Sequence, residues 1–463
     1  MSTVTSFRPR TRRNVELFLL LLAVGIVMLA YLAVGLGVNE QVPLDLLTQG
    51  GWLLGFAVAF HLVLRWRASY ADPLILPIVT LLNGLGIVMI HRLDLASGRT
   101  DTAMAPRQIM WTGLAIAIAI AVVVLLKDHR VLRRYTYTMM VAGLGFLLLP
   151  FVPGLGREIN GARIWIGLGP FSFQPGEVAK IILTIFFAAY LVQTRDALSL
   201  TGRRILGLTL PHGRVFGPIL LAWLASLLVL VGQSDLGSSL LFFGLFVALL
   251  YVATERVSWI VIGLLMFAAG ASVAYMLFGH VQQRVMFWLD PWSREALQVS
   301  DQLVRGLMGM GAGGLFGTGL GRGNPQLTYF AESDFIVPSF AEELGLFGVF
   351  AILMLYGLFV ERGLRTALGT RDGFGKLLAS GLAFSVTLQI FVVVGGVTRV
   401  IPLTGLTSPF LSAGGSSLLA NWVIVALLLR ISDHARRPVP VEPTTGPSGP
   451  GPAGAPESAE VGT

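Results

Sequence analysis

Residues 236–278 read LGSSLLFFGLFVALLYVATERVSWIVIGLLMFAAGASVAYMLF, two apolar runs of about twenty residues parted by Glu255 and Arg256. A hydrocarbon core ~30 Å thick is crossed by about 20 residues of helix, so the stretch reads as a helical hairpin through a bilayer. Ten further stretches of comparable apolarity lie between residues 15 and 431. Composition agrees: 54% of the chain is hydrophobic and 13% charged, against about 25% charged in soluble domains. The expected class is an all-α polytopic membrane protein of about 12 transmembrane helices. The first run follows Arg8, Arg10, Arg12 and Arg13 as a signal peptide would, but it is too long and lacks a cleavage site, so a retained helix is expected. With no cysteine, disulfides, thiolate chemistry and cysteine metal sites are excluded.

The net charge of +8 would suggest nucleic acid in a soluble protein, but here its distribution decides. With both termini cytoplasmic, the inner segments collect about two thirds of the 33 lysines and arginines, among them Arg65, Arg130, Arg204, Arg362 and Arg436. Arg157, Arg163, Lys180, Arg284, Arg305 and Arg399 fall outside. The asymmetry reports orientation, and no nucleic-acid partner is expected.

Along the chain, a basic cytoplasmic N-terminus (1–14) precedes a membrane region (15–136). Residues 137–435 hold two long patterned loops, 153–177 and 279–335, both expected outside. The tail, 436–463, is rich in Pro and Gly and is expected to be disordered in the cytoplasm.

Chemistry concentrates in these loops. Pro175 suits a first helical turn, which sets Glu177 and Lys180 three apart on one face. They are either a structural ion pair with a snorkelling lysine or part of a substrate path. Trp165 is an interfacial anchor or a platform for a sugar face. Asp235 in Gln233-Ser234-Asp235-Leu236-Gly237 is a helix cap or a site residue. The second loop carries Arg284 and then nine glycines between Gly306 and Gly323, whose N–H groups are expected to approach an anionic headgroup. Its dinucleotide-like spacing at 309–314 has no preceding strand and is spurious. Glu332 and Asp334 follow, and Glu342-Glu343 stand inside the next apolar run, where at least one must face the interior. Asp334 is a further helix cap or, given Glu332, Glu342 and Arg284, a reactive group. Thr404, Ser412 and Asn421 are candidates for lining a groove.

Together NGARIWIGLGPFSFQPGEVAK (160–180), QSDLG (233–237), ESDFI with AEELGLFG (332–348) and PLTGLTSPFLSAGGSSLLANW (402–422) resemble the SEDS family of RodA, FtsW and SpoVE, most closely its actinobacterial RodA branch. Gly176, Ser234, Val337-Pro338 and Ala413 depart from the usual residues, and none of these departures removes a charge. The resemblance implies a ten-span core with two extra N-terminal spans. It also implies a peptidoglycan glycosyltransferase polymerising lipid II on the outer face of the bacterial cytoplasmic membrane, with a class B penicillin-binding protein as partner within the elongation or division machinery. The family's catalytic aspartate falls on Asp334, and its tryptophan, glutamate and lysine fall on Trp165, Glu177 and Lys180.

Such a reaction needs a base for the acceptor hydroxyl and cations for the leaving polyprenyl diphosphate. Arg163, Lys180 and Arg284 are the candidate cations, with Asp235, Glu332 and Glu342 as further substrate contacts. No cofactor is evident, although the diphosphate could bring Mg2+ or Mn2+. A lipid II flippase and a non-catalytic scaffold for the transpeptidase are the alternatives.

Overall fold

The computed structural model describes residues 11–438 except 100, 101, 160, 170, 201, 206, 207, 212 and 234. The expected tail disorder beyond residue 438, the first ten residues, and Asn160 and Ser234 of the motifs lie outside the described residues.

Helices stand where the apolar runs place them. The first four are α1 (Arg13–Asn39), α2 (Leu46–Arg67), α3 (Ile75–Ala96) and α4 (Ala105–Leu125). Then come α5 (Thr136–Leu148), α6 (Pro175–Leu200), α7 (Gly213–Gly232), α8 (Leu236–Thr254) and α9 (Ser258–Leu277). Three shorter helices, α10 (Gly279–Leu289), α11 (Arg294–Val299) and α12 (Gln302–Gly313), precede α13 (Ile336–Gly369), α14 (Gly373–Val397) and α15 (Gly415–Arg436). Among the described residues, ten helices are long and apolar enough to cross a membrane; α5, with 13 residues, falls short by itself. The chain is an all-α polytopic membrane protein.

Burial sorts the bundle. In α15 the spanning stretch is 83% buried and in α9 only 6%, so α15 is central while α9 offers its apolar surface to lipid. α15 packs on α4, α13 on α14, α5 on α6 and α1 on α3. Small residues allow the closest approaches: a Cβ at Gly86 of α3 would collide with the Leu411 backbone.

The loop at 153–177 folds as an antiparallel meander of β1 (Gly156–Ile159), β2 (Ala162–Leu168) and β3 (Phe171–Phe173). Arg157 pairs with Trp165 and Gly167 with Ser172. A second hairpin joins β4 (Gly202–Ile205) to β5 (Leu208–Pro211).

α13 is broken at Gly345, where φ is 69°, a backbone that glycine adopts without a Cβ clash. The loop after α12 fills the break. Thr318 N–H donates to the Glu342 carbonyl at 3.0 Å, Gly319 N–H to that of Glu343 at 2.9 Å, and Leu346 N–H to that of Gly314 at 3.0 Å. The interrupted helix thus recovers partners that buried backbone groups require.

Candidate functional site

Pro175 opens α6, and one turn in, Glu177 and Lys180 are both buried. Lys180 Nζ donates to Glu177 Oε2 at 2.9 Å and to Gln389 Oε1 of α14 at 2.9 Å. Gln389 Nε2 in turn donates to the Thr407 carbonyl at 2.8 Å. A buried pair of this kind holds only when its remaining donors and acceptors are satisfied, and Gln389 supplies that satisfaction from another helix.

Asp235 does cap α8, its Oδ1 accepting from Ser238 N–H at 2.9 Å. Burial raises its carboxyl above the ordinary carboxylate range; Ser238 and the Arg284 guanidinium oppose the rise and Glu177 adds to it. The capping and electrostatic roles are therefore combined in one side chain. Arg284, on α10, donates from Nη1 to the carbonyls of Leu403 at 3.2 Å and Thr404 at 2.9 Å. From that anchorage it acts on both Asp235 and Asp334.

Asp334 is not a cap. The capping residue of α13 is Phe335, and no side chain caps the helix. The Asp334 carboxylate instead lies against the 403–405 turn, where a Cβ at Gly405 (φ 77°) would meet Oδ2 at 3.6 Å. Burial pushes its carboxyl up to about 7, against the pull of the Ser333 hydroxyl and Arg284, with Glu332 adding to the rise. The segment is fixed from both sides: Ser412 Oγ donates to the Ser333 carbonyl at 2.6 Å and Ala413 N–H to that of Glu332 at 2.8 Å. Glu332 faces Arg99 at 3.5 Å.

Asp235, Arg284 and Asp334 are thus coupled, with Glu177 within electrostatic reach of Asp235. Other expected site residues are placed differently. Arg163 Nε donates to the Pro150 carbonyl at 3.1 Å and its backbone N–H to that of Gln233 at 3.3 Å, tying the meander to the bundle. Trp165 is half-buried in β2 opposite Arg157. Of the two carboxylates grouped with Asp334 in the sequence, Glu332 raises its carboxyl, while Glu342 turns to the glycine loop and accepts from Asn324 N–H at 2.5 Å.

The glycine loop itself corrects an expectation. The N–H groups of Thr318, Gly319 and Gly321, foreseen as donors to an anionic headgroup, donate to the carbonyls of Glu342 and Glu343 and to Glu343 Oε2. The break in α13 creates acceptors closer at hand than any headgroup. Among the potential groove residues, Asn421 is fully buried and bonded to Ser417.

Sequence reasoning missed Gln389, Arg92 and Arg99. A lone amide or guanidinium in an apolar run is the available signal, but its partner is not legible from one strand of sequence. No group of three His, Cys, Asp or Glu side chains able to hold a metal ion is found among the described residues.

Fold and site define a multi-pass membrane protein in which electrostatically coupled carboxylates and a guanidinium gather at one end of the bundle. The family model of the FtsW, RodA and SpoVE cell cycle proteins matches residues 73–437, and the chain belongs to that family. It is 51% identical over 437 residues to the peptidoglycan glycosyltransferase RodA of Mycobacterium tuberculosis, covering 94% of this chain and 93% of that protein. A solved chain from a study of polymerization and crosslinking by a peptidoglycan synthase complex superposes with a TM-score of 0.62 at 28% identity, covering 79% of this chain and 98% of that one. RodA of Thermus thermophilus superposes with a TM-score of 0.55 at 28% identity, over 80% and 98% of the two chains.

Proposed function

We propose that Asp334 is the general base with which this peptidoglycan glycosyltransferase polymerises lipid II on the outer face of the bacterial cytoplasmic membrane. The observation that carries the reading is the placement of Asp334: a carboxylate free of capping duty, walled by the 403–405 turn and facing the anchored guanidinium of Arg284.

The acceptor sugar hydroxyl attacks the anomeric carbon of the donor. Its proton passes to the Asp334 carboxylate as the new glycosidic bond forms and the bond from that carbon to the diphosphate oxygen breaks. Negative charge then grows on the departing polyprenyl diphosphate, and Arg284, the cation whose charge acts on the base, is placed to meet it. Glu177 and Lys180 shape the neighbouring wall, and Asp235 orients Arg284 through its charge. Mg2+ or Mn2+ accompanying the diphosphate would meet at most one or two carboxylates, since no three acidic or imidazole side chains converge among the described residues.

The excess of basic residues at the opposite end of the bundle supports an outward-facing site and cytoplasmic termini. The relative drawn from a peptidoglycan synthase complex supports a crosslinking partner, a class B penicillin-binding protein, and the RodA relatives support a role in elongation and cell shape.

The test is Asp334→Asn, which keeps shape and removes basicity. Purified with its partner and given fluorescent lipid II, the variant is expected to fold normally and polymerise about 10² to 10⁴ times more slowly. A wild-type rate would refute the assignment. A flippase would keep translocating lipid II with this substitution.

A further inference from the structure

At the end of the bundle opposite Asp334, a cavity of about 1140 Å³ opens between the start of α1, the ends of α2, α13 and α15, and the segment leading into α3. Six arginines line it: Arg12, Arg13, Arg65, Arg362, Arg365 and Arg436. Among the described residues the carboxylates that pair with them are Glu16, Asp72 and Glu361, with the charge of Asp433 also acting on Arg13, so positive charge is in surplus. Among the described residues Arg12 pairs with no carboxylate and Arg65 meets the Asn14 amide oxygen, at 3.1 Å, and no carboxylate. Arg13 is 4% exposed; its Nη1 meets Glu16 at 2.5 Å and its Nη2 the Ala71 carbonyl, while its Nε is buried without a partner. α1 has no side-chain cap at its N-terminus, which adds free N–H groups and the positive helix end to the same wall.

The surroundings say what kind of anion fits. Val15, Phe18 and Leu62 are exposed apolar side chains next to the cavity, and Trp66 is 70% exposed between Arg65 and Arg67. This is the level at which a lipid-facing surface gives way to headgroups. Further along the bundle an apolar seam of about 440 Å³ lies between α1 and α13 over α3, with Ile26, Leu29 and Ala33 on one side and Leu344, Ala351 and Leu355 on the other. Leu355 lies seven residues from Arg362, roughly 10 Å along the helix, within the reach of one acyl chain.

We infer that this cavity and seam form a binding site for an anionic phospholipid, its phosphate headgroup held by Arg12 and Arg65, with the charge of Arg13 behind them, and an acyl chain laid between α1 and α13. Basic pockets between transmembrane helices take such headgroups. The site is remote from the glycosyl-transfer centre and independent of the reading given above.

The test is lipid retention by the full-length protein, measured by native mass spectrometry after exchange into phosphatidylglycerol or phosphatidylcholine micelles. Preferential retention of phosphatidylglycerol is expected. R12Q/R65Q is expected to weaken it about thirtyfold, each basic group at a lipid surface being worth about fivefold. R133Q/R134Q, on the same face but outside the cavity, reports diffuse surface attraction and should have a much smaller effect. Ala351→Phe, about 16 Å along α13 from Arg362 and exposed on the seam, should weaken phosphatidylglycerol retention while leaving the arginines intact. Equal retention of the two lipids, equal losses in the two double variants, or inorganic phosphate binding as tightly as the lipid would each overturn the proposal.

Discussion

Arg92 and Glu343, 251 positions apart in sequence, meet at 2.5 Å with side chains only 2% and 0% exposed. Arg92 also donates to the Gly323 carbonyl at 2.5 Å and to Gln326 at 3.0 Å. One guanidinium from α3 therefore ties the glycine loop to the broken segment of α13 that begins just after Asp334. Replacing Arg92 with Met leaves Glu343 buried and uncompensated, for which a loss of about 3–5 kcal/mol is usual. A lower unfolding temperature in detergent is expected, with much of the loss recovered in Arg92→Met/Glu343→Leu. If the double variant is no better than the single, the pair is not the source of the loss.

Polymerisation should rise with pH through an inflection near 7, because Asp334 acts as a base only when deprotonated and burial holds its carboxyl up to about 7. Arg284 opposes that rise, so Arg284→Met should move the inflection to higher pH as well as slow the reaction. The check is initial rates between pH 5.5 and 9. The same shift has a stability counterpart. The folded state favours protonated Asp334, so its contribution is full below the ordinary value of about 3.9 and is lost as pH rises through about 7. Asp334→Asn should therefore match or exceed the wild-type unfolding temperature at pH 8, while polymerising about 10² to 10⁴ times more slowly.

Lys180→Ala should slow polymerisation about 10²-fold, a usual effect of removing one charge-stabilising group. It should also lower stability, since Glu177 loses its cation in a buried setting. Gln389→Leu breaks the outer half of the same network and should reproduce part of both effects. Unchanged activity in Lys180→Ala would confine the pair to a structural role.

Orientation can be tested in the cysteine-free chain. Single cysteines at exposed Ser172 and Gln298 should react with an impermeant thiol reagent in intact cells, and one at exposed Arg371 should not. Labelling at position 371 from outside would reverse the assigned faces.

What the sequence determined by itself was the class and the gathering of motifs at one end. Length and apolarity of a run are one-dimensional properties, and the parity of crossings then assigns 153–177, 233–237, 279–335 and 402–414 to one face. The Glu177–Lys180 contact was legible for the same reason, since three residues of helix always return to one side. Tertiary structure alone decided the partners that lie across helices: Gln389 for Lys180, the Leu403 and Thr404 carbonyls for Arg284, and Arg92 for Glu343. It also decided that Asp235 caps a helix while Asp334 does not, and that the glycine-loop N–H groups close a break in α13. Those outcomes depend on how each helix is rotated about its axis and how closely its neighbours approach. Small residues such as Gly86 and Gly345 fix that geometry through packing, and packing is a property of several chain segments at once.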